Sequence, residues 1–202
     1  MTGTTLDSFR HGALTLRQPK HGYRFSIDAV LLAAHARPRS GELVVDLGTG
    51  CGVVALLMAQ RCAGLEIYGI ELQTELARLA RRNVTENHLE AVVHIIEGDV
   101  NDLGGKSLPR PADLIVTNPP YYKLVSGRLN PDDQRAWARH ELRLTLDQLL
   151  ASVKRLLRTG GRLISVYACE RLTDLLVGMR SAGLEPKSIR MVHSCADDEA
   201  KL

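Results

Sequence analysis

The residues best able to do chemistry lie at four places in this 202-residue chain, each just after a short apolar run. The first place is Asp46-Leu47-Gly48-Thr49-Gly50-Cys51-Gly52, where three glycines alternate behind an acid. The others are Glu71, Gly98-Asp99 and Asn118-Pro119-Pro120-Tyr121. Glycines allow a backbone to turn sharply and approach a ligand closely, and carboxylates accept hydrogen bonds from hydroxyl and amino groups. These residues predict a nucleotide-like ligand held by a glycine loop.

The spacing of the glycine loop argues against a dinucleotide such as NAD or FAD. Position 53 is Val53, so the third glycine of the dinucleotide fingerprint is absent. Glu71 lies 19 residues beyond Gly52, where its two oxygens can accept hydrogen bonds from both hydroxyls of a ribose. A plain tight turn between a strand and a helix would need neither the alternating glycines nor the second acid. The loop and Glu71 therefore predict a ligand that contains a ribose.

The Asn118-Pro119-Pro120-Tyr121 motif suits chemistry at an amino nitrogen. An amine conjugated to a ring or a carbonyl is a poor nucleophile until its lone pair is localised on the nitrogen. The amide oxygen of Asn118 and the carbonyl oxygen of Pro119 can each accept one N–H, which would localise that lone pair. The prolines hold the carbonyl rigidly and add no competing donor, and Tyr121 can stack on a planar substrate. The alternative is that the proline pair only ends a strand.

Apolar runs and helical periodicity alternate along the chain and predict the elements that carry these residues. The predicted strands are Glu42–Leu47, Leu65–Glu71, Val92–Glu97, Ala112–Thr117, Arg162–Tyr167 and a sixth near Ser188–His193. The predicted helices are Val53–Cys62, Gln73–Asn87, Leu142–Leu157, capped by Gly160-Gly161, and Glu170–Ala182. This alternation predicts an α/β fold, a doubly wound and mostly parallel sheet with ligands bound beyond the carboxyl ends of its strands. All four motifs follow such ends.

The segment Pro38-Arg39-Ser40-Gly41 divides the chain into an N-terminal arm, residues 1–40, and a domain, residues 41–202. The arm holds six Lys or Arg against two acids, which suits an anionic partner as well as a solvated surface. Tyr23 and Phe25 flank a basic residue there, and we expect them to form a lid over the ligand rather than to pack on the sheet. The arginine-rich segment 126–139 is either an RNA-contacting loop or an ordinary surface loop.

Taken together, the four motifs resemble an S-adenosylmethionine-dependent methyltransferase of the Rossmann type. The resemblance implies that the glycine loop lies under the methionine end of the cofactor, that Glu71 holds the ribose and that Asp99 binds the adenine amino group. The cofactor-binding residues expected on this basis are Tyr23, Phe25, Asp46, Gly48, Gly50, Gly52, Glu71, Leu72, Asp99, Val100 and Asn118. The expected catalytic residues are Asn118, Pro119 and Tyr121.

Two further stretches narrow the resemblance. The run from Gln18 to Ala33 and the Ala138-Arg139-His140-Glu141 segment are similar to the bacterial tRNA adenine-N6 methyltransferase family, over residues 17 to about 200. This implies methyl transfer to an exocyclic amine, adenine N6, in an RNA partner, tRNA. Transfer to protein glutamine N5, transfer to guanine N2 in RNA, and a non-catalytic RNA-binding subunit remain as alternatives. Glutamine methyltransferases carry a helical N-terminal domain, for which the arm offers only about 40 residues.

Composition and cysteine spacing exclude several other classes. With 45% hydrophobic and 24% charged residues, the chain is expected to form a globular core. No apolar stretch approaches the roughly 20 residues that span a bilayer and no secretory pattern is present, so we expect a cytoplasmic protein without membrane contact. Four cysteines without a CxxC pair indicate neither a zinc site nor a disulfide framework. We also expect the C-terminal strand pair of this fold to be incomplete, because the sequence stops soon after the sixth predicted strand.

Overall fold

The computed structural model describes residues 3–9, 12–21, 24–104, 107–119, 144–195 and 198–202. Its strands are β1 Thr4–Phe9, β2 Leu14–Pro19, β3 Leu43–Leu47, β4 Glu66–Glu71, β5 Val93–Glu97, β6 Ala112–Thr117 and β7 Leu157–Ser165. Its helices are α1 Ile27–Ala36, α2 Val53–Arg61, α3 Thr74–Glu86, α4 Leu146–Leu156 and α5 Leu172–Ser181. A short 3₁₀ helix, Cys169–Arg171, precedes α5.

The central sheet confirms the predicted α/β class. Five parallel strands lie in the order β5-β4-β3-β6-β7. Side chains alternate between the two faces of a strand, and in β3 Val44 joins the core with α1 and α2, whereas Val45 joins the core with α4. Helices therefore cover both faces of the sheet, which accounts for the continuous apolar runs that its strands show in the sequence.

The register of the sheet brings the carboxyl ends of its strands to one edge. Leu47 at the end of β3 pairs with Ile70 on one side and Thr117 on the other. Farther out, Ile70 pairs with Ile96, and Thr117 pairs with Ser165. The residues that follow β3, β4, β5 and β6 therefore start along a common line, which is the edge where ligands bind in sheets of this kind.

The predicted cap at Gly160-Gly161 is wrong, because both glycines lie inside β7. In the described residues α4 begins after Thr145, whose side chain forms a capping box with Gln148, and it ends at Leu156. The strand begins at the very next residue, Leu157. An irregularity opposite Ala112 and Leu114 accommodates the first residues of β7, and Gly160 adopts a left-handed φ of 73° there.

The predicted sixth strand, Ser188–His193, is also wrong. Its only ladder contact among the described residues is an isolated antiparallel bridge between His193 and Ala200. The Val192 N–H donates to the carbonyl of Leu202 at 2.7 Å, so the segment meets the end of the chain instead of the sheet. Within the described part of the chain, the outer edge of β7 therefore carries no further strand.

The N-terminal arm contains regular structure that the sequence analysis did not assign. Strands β1 and β2 form an antiparallel hairpin, and Leu14 and Leu16 of β2 are fully buried against α2 and α3. Helix α1 begins after Ser26, whose hydroxyl accepts a hydrogen bond from the Asp28 N–H, and it buries one face in the same core. The boundary between the arm and the domain near residue 40 stays a prediction.

Candidate active site

The glycine loop after β3 has the backbone geometry that its sequence predicts. Gly48, Gly50 and Gly52 have φ values of 75°, 60° and 88°, in the left-handed region that favours glycine. The N–H groups of Gly48 and Thr49 both donate to the carbonyl of Ile70, at 3.0 and 2.9 Å, so the loop is fastened to the end of β4. A Cβ added at Gly48 would meet no atom within 4 Å, which leaves one side of the loop open.

A fourth glycine, Gly69 in β4, makes room for this loop. A Cβ at position 69 would lie 2.9 Å from the Thr49 side chain and 2.9 Å from Cδ1 of Ile95. Such distances are shorter than real Cβ contacts, so the bare backbone of β4 is what allows Thr49 to sit over the sheet. Gly69 could not be predicted as a site residue from the sequence, because a lone glycine in a strand gives no signal of what approaches it.

Glu71 holds the loop from the neighbouring strand. Its carboxylate is 6% exposed, and its two oxygens accept from the Gly50 N–H and the Gln73 N–H, each at 2.9 Å. A carboxylate offers about four lone-pair positions, so each oxygen keeps one for another donor. The buried carboxylate of Glu71 thus holds the backbone of the loop in place. Leu72, the next residue, is partly buried.

Asp46, near the end of β3, is a second buried carboxylate next to the loop. Its Oδ2 accepts from the Thr49 hydroxyl at 2.6 Å, and the side chain is 2% exposed. Burial raises the pKa of Asp46 to about 7, against the opposing effect of hydrogen bonds from Thr49 and the Ala55 backbone, and the nearby charge of Glu71 raises it further. Burial likewise raises the pKa of the neighbouring Cys51 thiol to about 12, which makes that thiol a packing group and not a nucleophile.

The shifted pKa of Asp46 predicts a specific dependence of stability on pH. In the unfolded chain this group titrates near 3.8, so between about pH 4 and pH 7 the folded state holds a proton that the unfolded state has released. The contribution of Asp46 to stability therefore falls as the pH rises through this window and is constant above it. Asp46→Asn cannot ionise, so its free energy of unfolding relative to the parent should rise by up to about 1.4 kcal/mol per pH unit there.

Urea unfolding of the parent and Asp46→Asn between about pH 4 and pH 8 measures this difference. Asp113, whose pKa is lowered to about 2, is present in both proteins. The contributions of such shared groups to the unfolding free energy cancel in the difference. A constant difference in unfolding free energy across the range would contradict the prediction.

Asp99 follows β5 and starts a segment that helix α4 holds in place. Its Oδ1 accepts from the Asn101 N–H at 2.8 Å, and the Gly98 N–H donates to the carbonyl of Glu71 at 2.9 Å. Arg155 on α4 then donates to three carbonyls of this segment, those of Val100, Asn101 and Leu103, at 2.8, 3.2 and 2.7 Å. Arg155 was missed from the sequence, because one arginine on an amphipathic helix gives no local sign of a partner more than 50 residues away.

The family resemblance assigns Asp99 to the adenine amino group, a role that stays a prediction. On that assignment, Asp99→Ala should weaken the binding of S-adenosylmethionine by about 1–3 kcal/mol, the cost of losing a charge-assisted hydrogen bond. Isothermal titration calorimetry measures the change. Asp102→Ala is the matched control, because it removes an exposed carboxylate from the same segment. Equal affinities for the parent and Asp99→Ala would show that Asp99 does not contact the cofactor.

Asn118 and Pro119 come directly after β6 and stand beside the glycine loop. The Thr117 hydroxyl donates to the carbonyl of Leu47 at 3.0 Å, which ties the ends of β6 and β3 together. Leu47 and Thr117 are register partners in strands that lie about 4.7–4.9 Å apart, so Gly48 and Asn118 start side by side. Both Asn118 and Pro119 are partly buried. Tyr121 lies outside the described residues.

Phe25 packs against the hairpin. Its ring centroid lies 5.5 Å from that of Phe9, and its N–H donates to Oε1 of Gln18 at 3.3 Å. Tyr23, the other aromatic residue expected in the lid, lies outside the described residues. The lid therefore stays a prediction, and Phe25 is at least part of the packing between the hairpin and α1.

The sequence profile of the methyltransferase small domain matches residues 24–173. The chain belongs to this family. It is a methyltransferase that uses S-adenosylmethionine, which confirms the resemblance inferred from the four motifs.

Two named relatives and two solved structures define the similarity further. The chain is 35% identical over 175 residues to the tRNA1(Val) (adenine(37)-N6)-methyltransferase of Porphyromonas gingivalis, covering 84% of this chain and 68% of the relative. It is 30% identical to the enzyme of the same name from Bacteroides fragilis, over 88% of this chain and 74% of that one.

Among solved structures, the geranyl diphosphate C-methyltransferase of Streptomyces coelicolor superposes with a TM-score of 0.60 at 17% identity, over 81% of this chain and 61% of that one. TrmN from Thermus thermophilus superposes with a TM-score of 0.54 at 22% identity, over 82% of this chain and 42% of TrmN. At these identities the structures establish the shared fold alone. Among the residues described here, no helix is long and apolar enough to cross a membrane.

The residues at the sheet edge fit the cofactor of this methyltransferase. S-adenosylmethionine offers hydrogen-bond donors at its ribose hydroxyls, its adenine amino group and its amino-acid end. The edge supplies carboxylate acceptors in the same region, from Asp46, Glu71 and Asp99. The open side at Gly48 leaves room for a molecule to approach the backbone.

Proposed function

We propose that this methyltransferase transfers the methyl group of S-adenosylmethionine to N6 of an adenine in tRNA. The observation that carries the proposal is the start of Asn118-Pro119 beside Gly48, which brings the amine-binding motif next to the cofactor loop. The similarity to relatives named as tRNA1(Val) adenine-N6 methyltransferases supports both the base and the class of RNA. A tRNA substrate also implies that the protein works in the cytoplasm.

The cofactor-binding roles in this proposal rest on carboxylates that are already held in place. Glu71 accepts the ribose hydroxyls with its remaining lone pairs, while the Gly50 and Gln73 N–H groups fix its orientation. Asp99 accepts from the adenine amino group, and Val100 borders that end of the site. The glycine loop with Asp46 lies under the methionine end. When bound, S-adenosylmethionine supplies an electrophilic methyl group on a positively charged sulfur.

Asn118 and Pro119 orient the acceptor amine in this proposal. The amide oxygen of Asn118 and the carbonyl of Pro119 each accept one N–H of the adenine amino group, which turns its lone pair toward the methyl carbon. No strong general base is required, because the nitrogen becomes acidic only once it is methylated. Tyr121 follows in sequence. The adenine base stacks on the ring of Tyr121 once it has left the base stack of the RNA.

Binding of tRNA should depend steeply on salt, because lysines and arginines of the arm release counterions from phosphates when they bind RNA. Lys20 is an exposed basic residue at the end of β2, and Lys20→Ala should lower the slope of log affinity against log salt by about one. Filter binding at several salt concentrations measures the slope.

Lys187→Ala removes an exposed lysine after α5 and is the control for that measurement. The binding of S-adenosylmethionine to the parent should change much less with salt. An RNA affinity that is flat between low and moderate salt would contradict the assignment of the arm to the RNA surface.

The proposed substrate is tested by incubating the protein with radiolabelled S-adenosylmethionine and bulk tRNA, then digesting the RNA to nucleosides. N6-methyladenosine is the expected product. Labelled N2-methylguanosine would instead favour guanine as the acceptor, and label in added protein would favour glutamine. Tight cofactor binding without label in any RNA or protein would favour a non-catalytic RNA-binding subunit.

A further inference from the structure

Asn83 in α3 and Asn87, the residue that follows this helix, meet the outer edge of β2. Asn87 accepts from the Thr15 N–H at 3.0 Å and donates to the Thr15 carbonyl at 2.7 Å. Asn83 accepts from the Arg17 N–H at 2.8 Å and donates to the Arg17 carbonyl at 2.8 Å. Each side-chain amide thus occupies the position of a peptide group in a neighbouring strand, because it offers one acceptor and one donor to a single residue. These two amides therefore add hydrogen bonds to the apolar packing of Leu14 and Leu16 that docks the hairpin on α3.

The second N–H of each amide distinguishes the two asparagines. In Asn83 it donates to the carbonyl of Cys51 at 2.8 Å, inside the glycine loop. In Asn87 it donates to the carbonyl of Asn83, inside the helix. Asn83 is completely buried, and its amide uses its acceptor and both donors. Only Asn83 therefore joins the hairpin directly to the loop.

The hydrogen bond from Asn83 to the Cys51 carbonyl holds a short part of the glycine loop that Glu71 also holds. Cys51 lies between Gly50, whose N–H is held by Glu71, and Gly52, the N-cap of α2. The Gly50 N–H and the Cys51 carbonyl are thus bound to side chains from two different elements, β4 and α3. A glycine-rich backbone has many alternative conformations, so these two contacts restrict the loop to the one described.

We propose that Asn83 is a positioning residue that couples docking of the N-terminal hairpin to the binding of S-adenosylmethionine by the glycine loop. The proposal rests on the assignment of that loop to the cofactor. When the hairpin is docked, the amide of Asn83 is oriented by Arg17 and holds the Cys51 carbonyl. When the hairpin leaves, the amide loses the two bonds that orient it. Coupling between two sites is reciprocal, so the bound cofactor should in turn stabilise the docked hairpin.

The first test compares cofactor affinity in Asn83→Ala and Asn87→Ala by titration calorimetry with S-adenosylmethionine. Both variants remove an amide from the edge of β2, but only Asn83→Ala also frees the Cys51 carbonyl. We expect Asn83→Ala to weaken affinity about tenfold, the equivalent of one buried hydrogen bond, and Asn87→Ala to change it by less than about twofold. Equal losses in the two variants, or no loss in Asn83→Ala, would overturn the proposal.

The second test uses the parent protein and does not depend on the folding of a variant. Hydrogen exchange resolved to single amides is measured with and without S-adenosylmethionine. Arg17 and Thr15 both donate their N–H to an asparagine side chain, and the cofactor should slow exchange at both at least about threefold more than at Leu184, whose N–H donates to the carbonyl of Met179 in α5. No extra protection of the two hairpin amides over Leu184 would overturn the coupling. A parent that binds no S-adenosylmethionine would overturn the cofactor loop as well, whereas failure to methylate tRNA would leave the coupling result standing.

Discussion

Asn118→Ala is expected to lose methyl transfer to tRNA by about 100-fold or more, the size of effect seen when one preorganised hydrogen-bonding group is removed from an active site. The amide oxygen of Asn118 is proposed to matter most as the amine nitrogen becomes pyramidal, so the loss should appear in the chemical step. Affinity for S-adenosylmethionine should stay close to that of the parent, although Asn118 starts beside Gly48 of the glycine loop. Single-turnover methylation at saturating cofactor and RNA measures this step directly.

Asn118→Asp is the matched variant for this experiment, since a carboxylate keeps an oxygen that accepts from the amine. We expect Asn118→Asp to retain more activity than Asn118→Ala. The anchor of the preceding residue, the Thr117 hydroxyl on the Leu47 carbonyl, is the same in both variants. Near-parent turnover by Asn118→Ala, with N6-methyladenosine still formed, would refute the proposed orientation of the amine.

Gly50→Val is expected to reduce the binding of S-adenosylmethionine below detection. Gly50 has a φ of 60°, and a β-branched residue in that region is a conformational outlier that costs about 1–3 kcal/mol. Relief of the strain would move the Gly50 N–H away from Glu71, so the variant would disturb both the loop and the carboxylate that is proposed to bind the ribose. Titration calorimetry at high protein concentration measures the residual affinity.

Gly41→Val separates this effect from the general cost of strain. Gly41 also has a positive φ, 84°, and nothing lies within 4 Å of an added Cβ, but it precedes β3 at the opposite edge of the sheet. Thermal melts without cofactor report the strain in both variants. Cofactor binding should survive in Gly41→Val, and unchanged affinity in Gly50→Val would remove the loop from the site.

The strands that carry the site could be predicted from the sequence because of how they are buried. A parallel strand covered by helices on both faces is a continuous apolar run, as in Leu43–Leu47, and the motif that follows it marks its end. The common edge of the four motifs follows from that class of sheet alone. The role of Glu71 toward the ribose rests on its position and its two oxygens, and that of Asp99 on family resemblance, so both are still predictions.

The remaining features depend on contacts that the sequence does not encode locally. The hairpin has a usable signal, the alternation of Leu14 and Leu16 with polar residues, but its place on α3 depends on the amides of Asn83 and Asn87. Gly160 looks like a helix cap because glycine serves both caps and strand irregularities. The segment 188–193 has the composition of a strand, but Val192 and His193 pair with the end of the chain instead of with the outer edge of β7.

Gly69 is a position at which substitutions are poorly accommodated. Every missense change of one base in a glycine codon produces a residue with a Cβ, and a Cβ at position 69 collides with the Thr49 side chain and with Ile95. A replacement at position 69 must therefore displace the side chain of Thr49 in the glycine loop or that of Ile95 in β5. The conformation of the loop thus depends on a residue of β4 that belongs to none of the four motifs.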